Sequence, residues 1–581
     1  MVVKSPGVTM EQIQTDPALR REYIWQRWST LKTARASWDG DAKELCKFLL
    51  PRSSRFTTSE TNKASRRNTN YDNTALRAVD ILGAGMMSGL TSPARPWFRL
   101  KHADDALMEY EPVKVWCADV TKKILNVFAK SNVYRSLHQG YVELGVYGTH
   151  ASILMPNDKT VVHATSLTWG EYALATNAYG QVDTLYRELS MTAGQMVDQF
   201  GKEACSTSVI DAYNRGDIDA RYDVIHAIEP NRAQDESRLD WRAMPFRSVW
   251  FEQARNDKEK YLREGGMRMF RGICPRWKVN GNDDYGESPG MVALGDAKQL
   301  QHEQLRKAQG IDYMTKPPIG LATNMKGQEV DLLPGGVTYL DVSQGAVGQK
   351  QMFDVNLRLD YLLADINDVR DRINAAFYAD LFLMISNMDA TGSKMTATEV
   401  AERHEEKLLM LGPVLERLHN ENITPLIDIT FDQLSEMGLL PPPPPELEGQ
   451  PLETELMGIL AQAQRAAQTN TNDRFLAGVA TVAQFDPTAA DKLDTDAIVE
   501  DYADGLGVNP RFLADDQTVQ ARRQARQQAA AAAQQAAQGS QVAEGASKLS
   551  KVPTQGGASN AGADVMQMFS GYQTGQAGAV Q

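Results

Sequence analysis

An apolar seam runs through residues 355–377, where Val355, Leu359, Leu362, Ile366, Val369, Ile373 and Phe377 recur at spacings of four and three. That period puts all seven side chains on one face of a helix. Arg358, Asp360, Asp365, Asp368, Asp371 and Arg372 occupy the other faces, so the helix is dry along a narrow stripe and charged behind it. Such a stripe needs a partner, either within its own chain or in copies of itself. Upstream, Ser288-Pro289 supplies an N-cap and a first-turn proline, predicting a helix through Leu294, Leu300 and Leu305 that ends near Gly310. Glu303 and Lys307 stand four apart on its expected wet side. Between the two helices, 316–342 is punctuated by Gly327, Pro334, Gly335 and Gly336 and reads as short strands. After a loop, Thr396-Ala397-Thr398-Glu399 has capping-box spacing and opens a third helix reaching Leu434.

A chain of 581 residues has room for about two to four domains. Hydrophobic residues at 42% and charged residues at 23% describe a soluble globular protein. The net charge of −13 opposes a role in coating nucleic acid, which favours a basic surface. Cys46, Cys117, Cys205 and Cys274 lie far apart and read as reduced thiols, not a disulfide framework. No apolar run approaches the roughly 18 residues that span a bilayer, and the first residues lack a secretory core. The expectation is a soluble protein of a reducing compartment, with no membrane partner.

The rest of the chain falls into three parts. Residues 10–50 predict a helix with Trp25, Trp28, Leu31 and Trp38, stopping at Pro51. The stretch 52–70 predicts an exposed loop whose Arg52, Arg55, Lys63, Arg66 and Arg67 are either solvated or in reach of phosphates. A helix over 73–90 contains Gly83, Gly85 and Gly89, whose spacing is not that of a nucleotide loop and fits close helix packing. Residues 91–98 then break it. The pattern over 141–189 predicts β structure, with a hairpin of 171–176 and 181–188 around Ala178-Tyr179-Gly180. Thr192 and Gln195 form another capping box, for a helix ending at Gly201. Strands are expected at 222–228, 248–253 and 267–279, the last followed by an Asn280-Gly281 turn. The first half is thus α+β, and the chain as a whole is α+β but mainly helical. Beyond Leu434, Pro441 to Pro445 predicts a stiff spacer at a domain boundary, and 452–513 predicts helices. Residues 516–537, of Ala, Gln and Arg, are expected to be helical only on packing or assembly, and 539–581 are too poor in apolar residues to bury a core.

Motifs for chemistry are missing. There is no GxxxxGK[ST] phosphate loop and no GxSxG elbow. His302-Glu303 and His404-Glu405 begin like a zinc-protease motif, but Arg306 and Leu408 stand where the second histidine belongs. Asp104-Asp105 and Asp283-Asp284 sit in turn-like contexts where Asp is common. The residues read as a structural or binding protein, not an enzyme, with no metal and no cofactor.

Several segments together resemble the head-to-tail connector, or portal, family of T7-like short-tailed bacteriophages. They are 72–100 with SGLTSPARPWF, MTAGQMVDQFG from Met191, YGESPGM from Tyr285, Pro317-Pro318, MTATEV from Met395, Gly412-Pro413 and the run Leu439 to Pro445. The likeness covers roughly 20–450. It implies a ring, usually of twelve copies, at one capsid vertex of the virion, assembled in the host cytoplasm. Double-stranded DNA passes through it in packaging and ejection. The implied partners are capsid and scaffolding proteins, the terminase motor and tail adaptor proteins.

Carried onto this sequence, the portal fold assigns 1–287 and the helix 396–440 to a wing. Stem helices occupy 288–310 and 354–380, with a clip at 311–353 between them. A channel loop spans 381–395, a proline-rich linker 441–451 and a crown 452–515, followed by an Ala/Gln-rich helix or barrel and a tail over 516–581. The apolar 381–385 anchors the channel loop, and Asn387, Asp389, Thr391, Gly392, Ser393 and Lys394 form its polar tip. Read from the residues alone, that tip is an ordinary connection between helices. The resemblance makes it the narrowest point of the channel, with Lys394 approaching DNA phosphates. Asp354 with Arg358, and Asp368 with Arg372, are read equally as surface pairs four apart or as contacts between subunits. Twelve copies carry 12 × −13 = −156, a wall that favours sliding of DNA over retention by counterion release. The alternatives are another virion structural protein, such as a tail adaptor or internal ejection protein, or a DNA-packaging enzyme.

Overall fold

The computed structural model describes residues 13, 15–51, 53–56, 69–104, 107–108, 110–232, 234–235, 237–254, 259–315, 319–321, 349–351, 359–387, 411–447, 449–457, 475–476, 478–482, 493–499 and 516–549. The chain divides into two compact units, 1–506 and 507–581. In order, the first contains α1 (Pro17–Phe48), α2 (Thr74–Leu90), β1 (Phe98–His102), α3 (Glu111–Lys130), α4 (Val133–Tyr147), β2 (Ala151–Asn157), β3 (Val161–Leu167), β4 (Tyr172–Thr176) and β5 (Val182–Thr192). There follow α5 (Ala193–Phe200), α6 (Thr207–Asn214), β6 (Arg221–Pro230), β7 (Phe246–Glu252), β8 (Arg263–Met267), β9 (Gly272–Ile273) and α7 (Pro289–Thr315). Then come β10 (Ile319–Leu321), β11 (Gln349–Gln351), α8 (Leu359–Ala376), α9 (Ala379–Asn387), α10 (Thr424–Glu436) and β12 (Leu452–Leu456). The second unit holds α11 (Asp516–Leu549).

An antiparallel sheet ordered β4-β5-β6-β7-β8 lies between helices. Period-two alternation decides its faces. Tyr186, Ile225 and Phe251 pack with Ile24 and Trp28 of α1 on one face. Val224 and Trp250 pack with Met196 of α5 and Val209 of α6 on the other. The α5 start is as the sequence predicts: Thr192 and Gln195 cap each other, and the helix ends at Gly201 with φ of +82°. A smaller sheet, β3-β2-β9, joins α2, α3, α4, α7, α8, α9 and α10 in the main core.

The sequence reading errs in several places. Residues 141–147, expected as β, are the last two turns of α4. They are buried on nearly every side, and a helix covered all round reads as an apolar run without period. The strand expected over 267–279 is split, β8 ending at Met267 in the large sheet and β9 joining the small one. Ser53 and Ser54 belong to no exposed loop: Ser54 is fully buried, its backbone N donating to Thr168 Oγ1 at 2.8 Å, while Arg55 pairs with Glu171.

The proline run is not a spacer. Pro441 O accepts from Trp116 Nε1 at 3.1 Å, and Pro441, Pro442 and Pro443 line a cleft of about 660 Å³ with Trp116 and Phe431. Residues 452–456 are a strand, not the opening of a helical crown. They return to the first unit and pair antiparallel with β1, Phe98 opposite Leu456 and His102 opposite Leu452. In the second unit, α11 reaches Leu549, well past 537. Alanine, glutamine and arginine are strong helix formers, and 34 residues are enough to offset the cost of nucleation.

Candidate functional site

The helices predicted as stems are α7 and α8. α7 opens as expected, with Ser288 Oγ accepting from the Met291 backbone N at 2.9 Å. It ends at Thr315, five residues past Gly310, because nothing in 311–315 breaks a helix. Glu303 is not on the wet side: it is buried and accepts from Gln299 Nε2 at 2.6 Å.

The seam finds its partner within its own chain. Ile366, Val369, Ile373 and Phe377 are at most 1% exposed and belong to the core shared with Ala293, Ala297 and Leu300 of α7. Leu362 is half-buried at its edge, and Leu359 is the first residue of α8. Val355 lies outside the described residues, as do Asp354 and Arg358. The charged back is real: Asp360, Asp365, Asp368 and Asp371 are exposed. Arg372 pairs with Asp368 four residues earlier at 3.7 Å and with Asp296 of α7 at 3.5 Å.

A stronger tie holds α8 to the start of α2. Arg370 Nη2 meets Asp72 Oδ2 at 2.6 Å, and Gln301 Nε2 of α7 donates to the Asp72 carbonyl at 2.8 Å. Burial pushes the Asp72 carboxyl up, but hydrogen bonds from Thr74 and Arg370 outweigh that and hold it below the usual aspartate value. The sequence carried no sign of this pair, since the two residues stand almost 300 positions apart.

Beyond Phe377 the chain turns sharply at Tyr378, whose φ of +55° is unusual for a bulky residue. Residues 379–387 then form α9. The channel loop expected to begin at 381 is therefore helical through Asn387, because Leu381 and Phe382 bury themselves in the core and hold the turn. Phe382 lies directly over Gly85 of α2, and Gly83 faces Val142 of α4, so these glycines serve close helix packing as expected. Asp389, Thr391, Gly392, Ser393 and Lys394 lie outside the described residues, and so does most of the expected clip.

With the seam covered, the hairpin presents a second apolar set that sequence periodicity did not single out. Val292 is 76% exposed and Tyr361 70%, with Ile311, Tyr313 and Met314 of α7 and Leu363 of α8 also open. These open apolar side chains are spread along both helices. Among the described residues no group of His, Cys, Asp and Glu is arranged to hold a metal. No described helix is long and apolar enough to cross a membrane.

Comparison with known proteins places relatives beside this geometry. The family described as bacteriophage head to tail connecting protein matches residues 21–513. The probable portal protein of Bordetella phage BPP-1 is 50% identical over 556 residues, covering 95% of this chain and 99% of its own. The portal protein of Salmonella phage epsilon15 is 44% identical over 536 residues, covering 92% and 96%. A chain from the virion of a native gene transfer agent particle covers 73% of this chain and 92% of its own at 10% identity, with a TM-score of 0.35.

Proposed function

The chain belongs to the bacteriophage head to tail connecting family, and from that premise we propose that it works as a ring, of about twelve copies, through which double-stranded DNA enters and leaves the capsid. As a portal protein it is a component of the virion, standing at the capsid vertex where head meets tail. The observation that carries the reading is the match across nearly the whole length of two phage portal proteins. The hairpin supports the ring: α7 and α8 satisfy their seam inside one chain and leave Val292, Tyr313 and Tyr361 uncovered. A neighbouring copy supplies what those side chains lack.

In this reading α7 and α8 carry the stem, and 311–353 is the clip. The sheets with α1 to α6, together with α10 and the returning β12, form the wing. The end of α9 at Asn387 and the segment after it, with Asp389, Thr391, Gly392, Ser393 and Lys394, face the channel. Lys394 touches phosphate, and Asp389 keeps that contact weak. Terminase, tail adaptor, capsid and scaffolding proteins are the partners that such a ring meets in turn. The chain acts without catalysis of its own, and the motor supplies the energy. Negative-stain images of the purified protein test the assembly, with a ring around an axial hole as the expected result and a uniform field of monomers as the refuting one. Deleting 387–393 is expected to leave rings intact while particles lose packaged DNA; normal packaging and retention would remove the channel role from this segment.

A further inference from the structure

On the α5 and α6 face of the large sheet, Arg187 of β5 stands opposite His226 of β6, which stands opposite Trp250 of β7. The His226 ring stacks on Trp250 with centroids 3.8 Å apart, and the Arg187 guanidinium carbon lies 4.9 Å from the Trp250 ring centre. Arg187 Nε donates to His226 Nδ1 at 3.1 Å. The imidazole proton is therefore on Nε2, which donates to Ser248 Oγ at 2.9 Å. Burial lowers the Arg187 guanidinium to about 10, which leaves it charged at neutral pH.

Among the described residues no carboxylate makes an ion pair with that charge: Glu171 acts on it from a distance and is itself paired with Arg55. Among the described residues the bond to His226 is the only side-chain hydrogen bond of Arg187, and the residue is 7% exposed. Four other buried arginines rest on carboxylates: Arg20 on Glu264, Arg35 on Asp39, Arg247 on Glu229 and Arg276 on Glu421. A buried cation without such a partner is strongly disfavoured. Arg187 also lines a cavity of about 230 Å³ between β3 and β5, below the roughly 300 Å³ at which drug-sized pockets begin. Lys32 and Arg55 stand at its rim, but they already hold Glu188 and Glu171. Three cations and two carboxylates among its lining residues leave one positive charge over.

We propose that this recess is an anion site in which Nη1 and Nη2 of Arg187 receive one small oxyanion group, a carboxylate or a phosphate. The planar guanidinium fork matches two oxygens of either group, and water alone offers no compensating charge.

The test is calorimetry and thermal unfolding of the full-length protein at pH 7.5, titrated with sodium phosphate or sodium acetate against chloride at equal ionic strength. One saturable site per chain and a rise in Tm absent from chloride are expected. Arg187→Lys keeps the charge but loses the fork, and should weaken binding by roughly tenfold. Arg187→Met should abolish it. Should the methionine variant not fold, the lysine variant decides alone. Binding of phosphate only identifies a phosphate ligand. Binding of acetate as well points to a carboxylate, such as an Asp or Glu of a neighbouring chain. Equal shifts in chloride, or undiminished binding by Arg187→Lys, would overturn the proposal.

Discussion

Gly85 and Gly40 both lie inside helices and have opposite expectations. A Cβ on Gly85 would run into the Phe382 ring, whereas one on Gly40 of α1 meets nothing within 4 Å. Gly85→Ala gains up to about 1 kcal/mol of helix propensity but loses about 1–3 to overpacking, so it should lower stability and be rescued by Phe382→Leu. Gly40→Ala should stabilise by up to about 1 kcal/mol, and chemical denaturation measures both. His226 gives a pH signature. Burial, with Arg187 and Arg263 beside it, holds it well below its usual 6.5, so the folded imidazole stays neutral where the unfolded one takes a proton. The unfolded state then binds more protons, and stability falls as pH drops below about 6.5, by up to about 1.4 kcal/mol per pH unit. Unfolding midpoints at pH 7.5 and 5.5 should differ for the parent chain, and less for His226→Gln.

The helices separate folding from assembly. Ile366 and Ile373 are buried within their own chain, so Ile366→Asp is expected to cost several kcal/mol, about 3 or more, and to yield unfolded or aggregated protein. It says nothing about rings. The assembly test belongs on the open side chains: Val292→Asp with Tyr361→Asp should keep the circular dichroism spectrum and melting temperature of a single chain while light scattering shows lower mass. A double variant that still forms full-mass oligomers would rule these two positions out as contacts between copies. Arg370→Met removes the counter-charge of the Asp72 carboxylate, 6% exposed as a side chain, leaves it the bonds from Thr74 and Gln304, and should loosen α8 from α2.

For the molecule as a whole, the returning β12 changes which truncations are harmless. A chain stopped at 450 loses the strand that pairs with β1 and covers Leu100 and Phe98, so it should be less stable although its α+β part is otherwise present. Removal of 550–581 lies beyond α11 and should leave ring mass unchanged in light scattering. Removal from 516 deletes α11 entire. Its described side chains over 518–534 are nearly all exposed, so its helicity within one chain rests on propensity.

Local chemistry was legible in the sequence. The capping box at Thr192, the N-cap at Ser288, the hairpin around Gly180 and the seam from Leu362 to Phe377 each depend on residues a few positions apart, and each stands as read. Gly83 and Gly85 announced close packing but not that Val142 and Phe382 fill the space. The tertiary structure decided what distance along the chain conceals. It closed the seam inside the chain and paired Arg370 with Asp72. It buried Glu303, made helix of the apolar run at 141–147, brought 452–456 back to β1 and set Arg187 against His226 and Trp250. Periodicity tells which face of an element is dry. Which element, or which charge, arrives to meet that face is settled by packing among segments hundreds of residues apart.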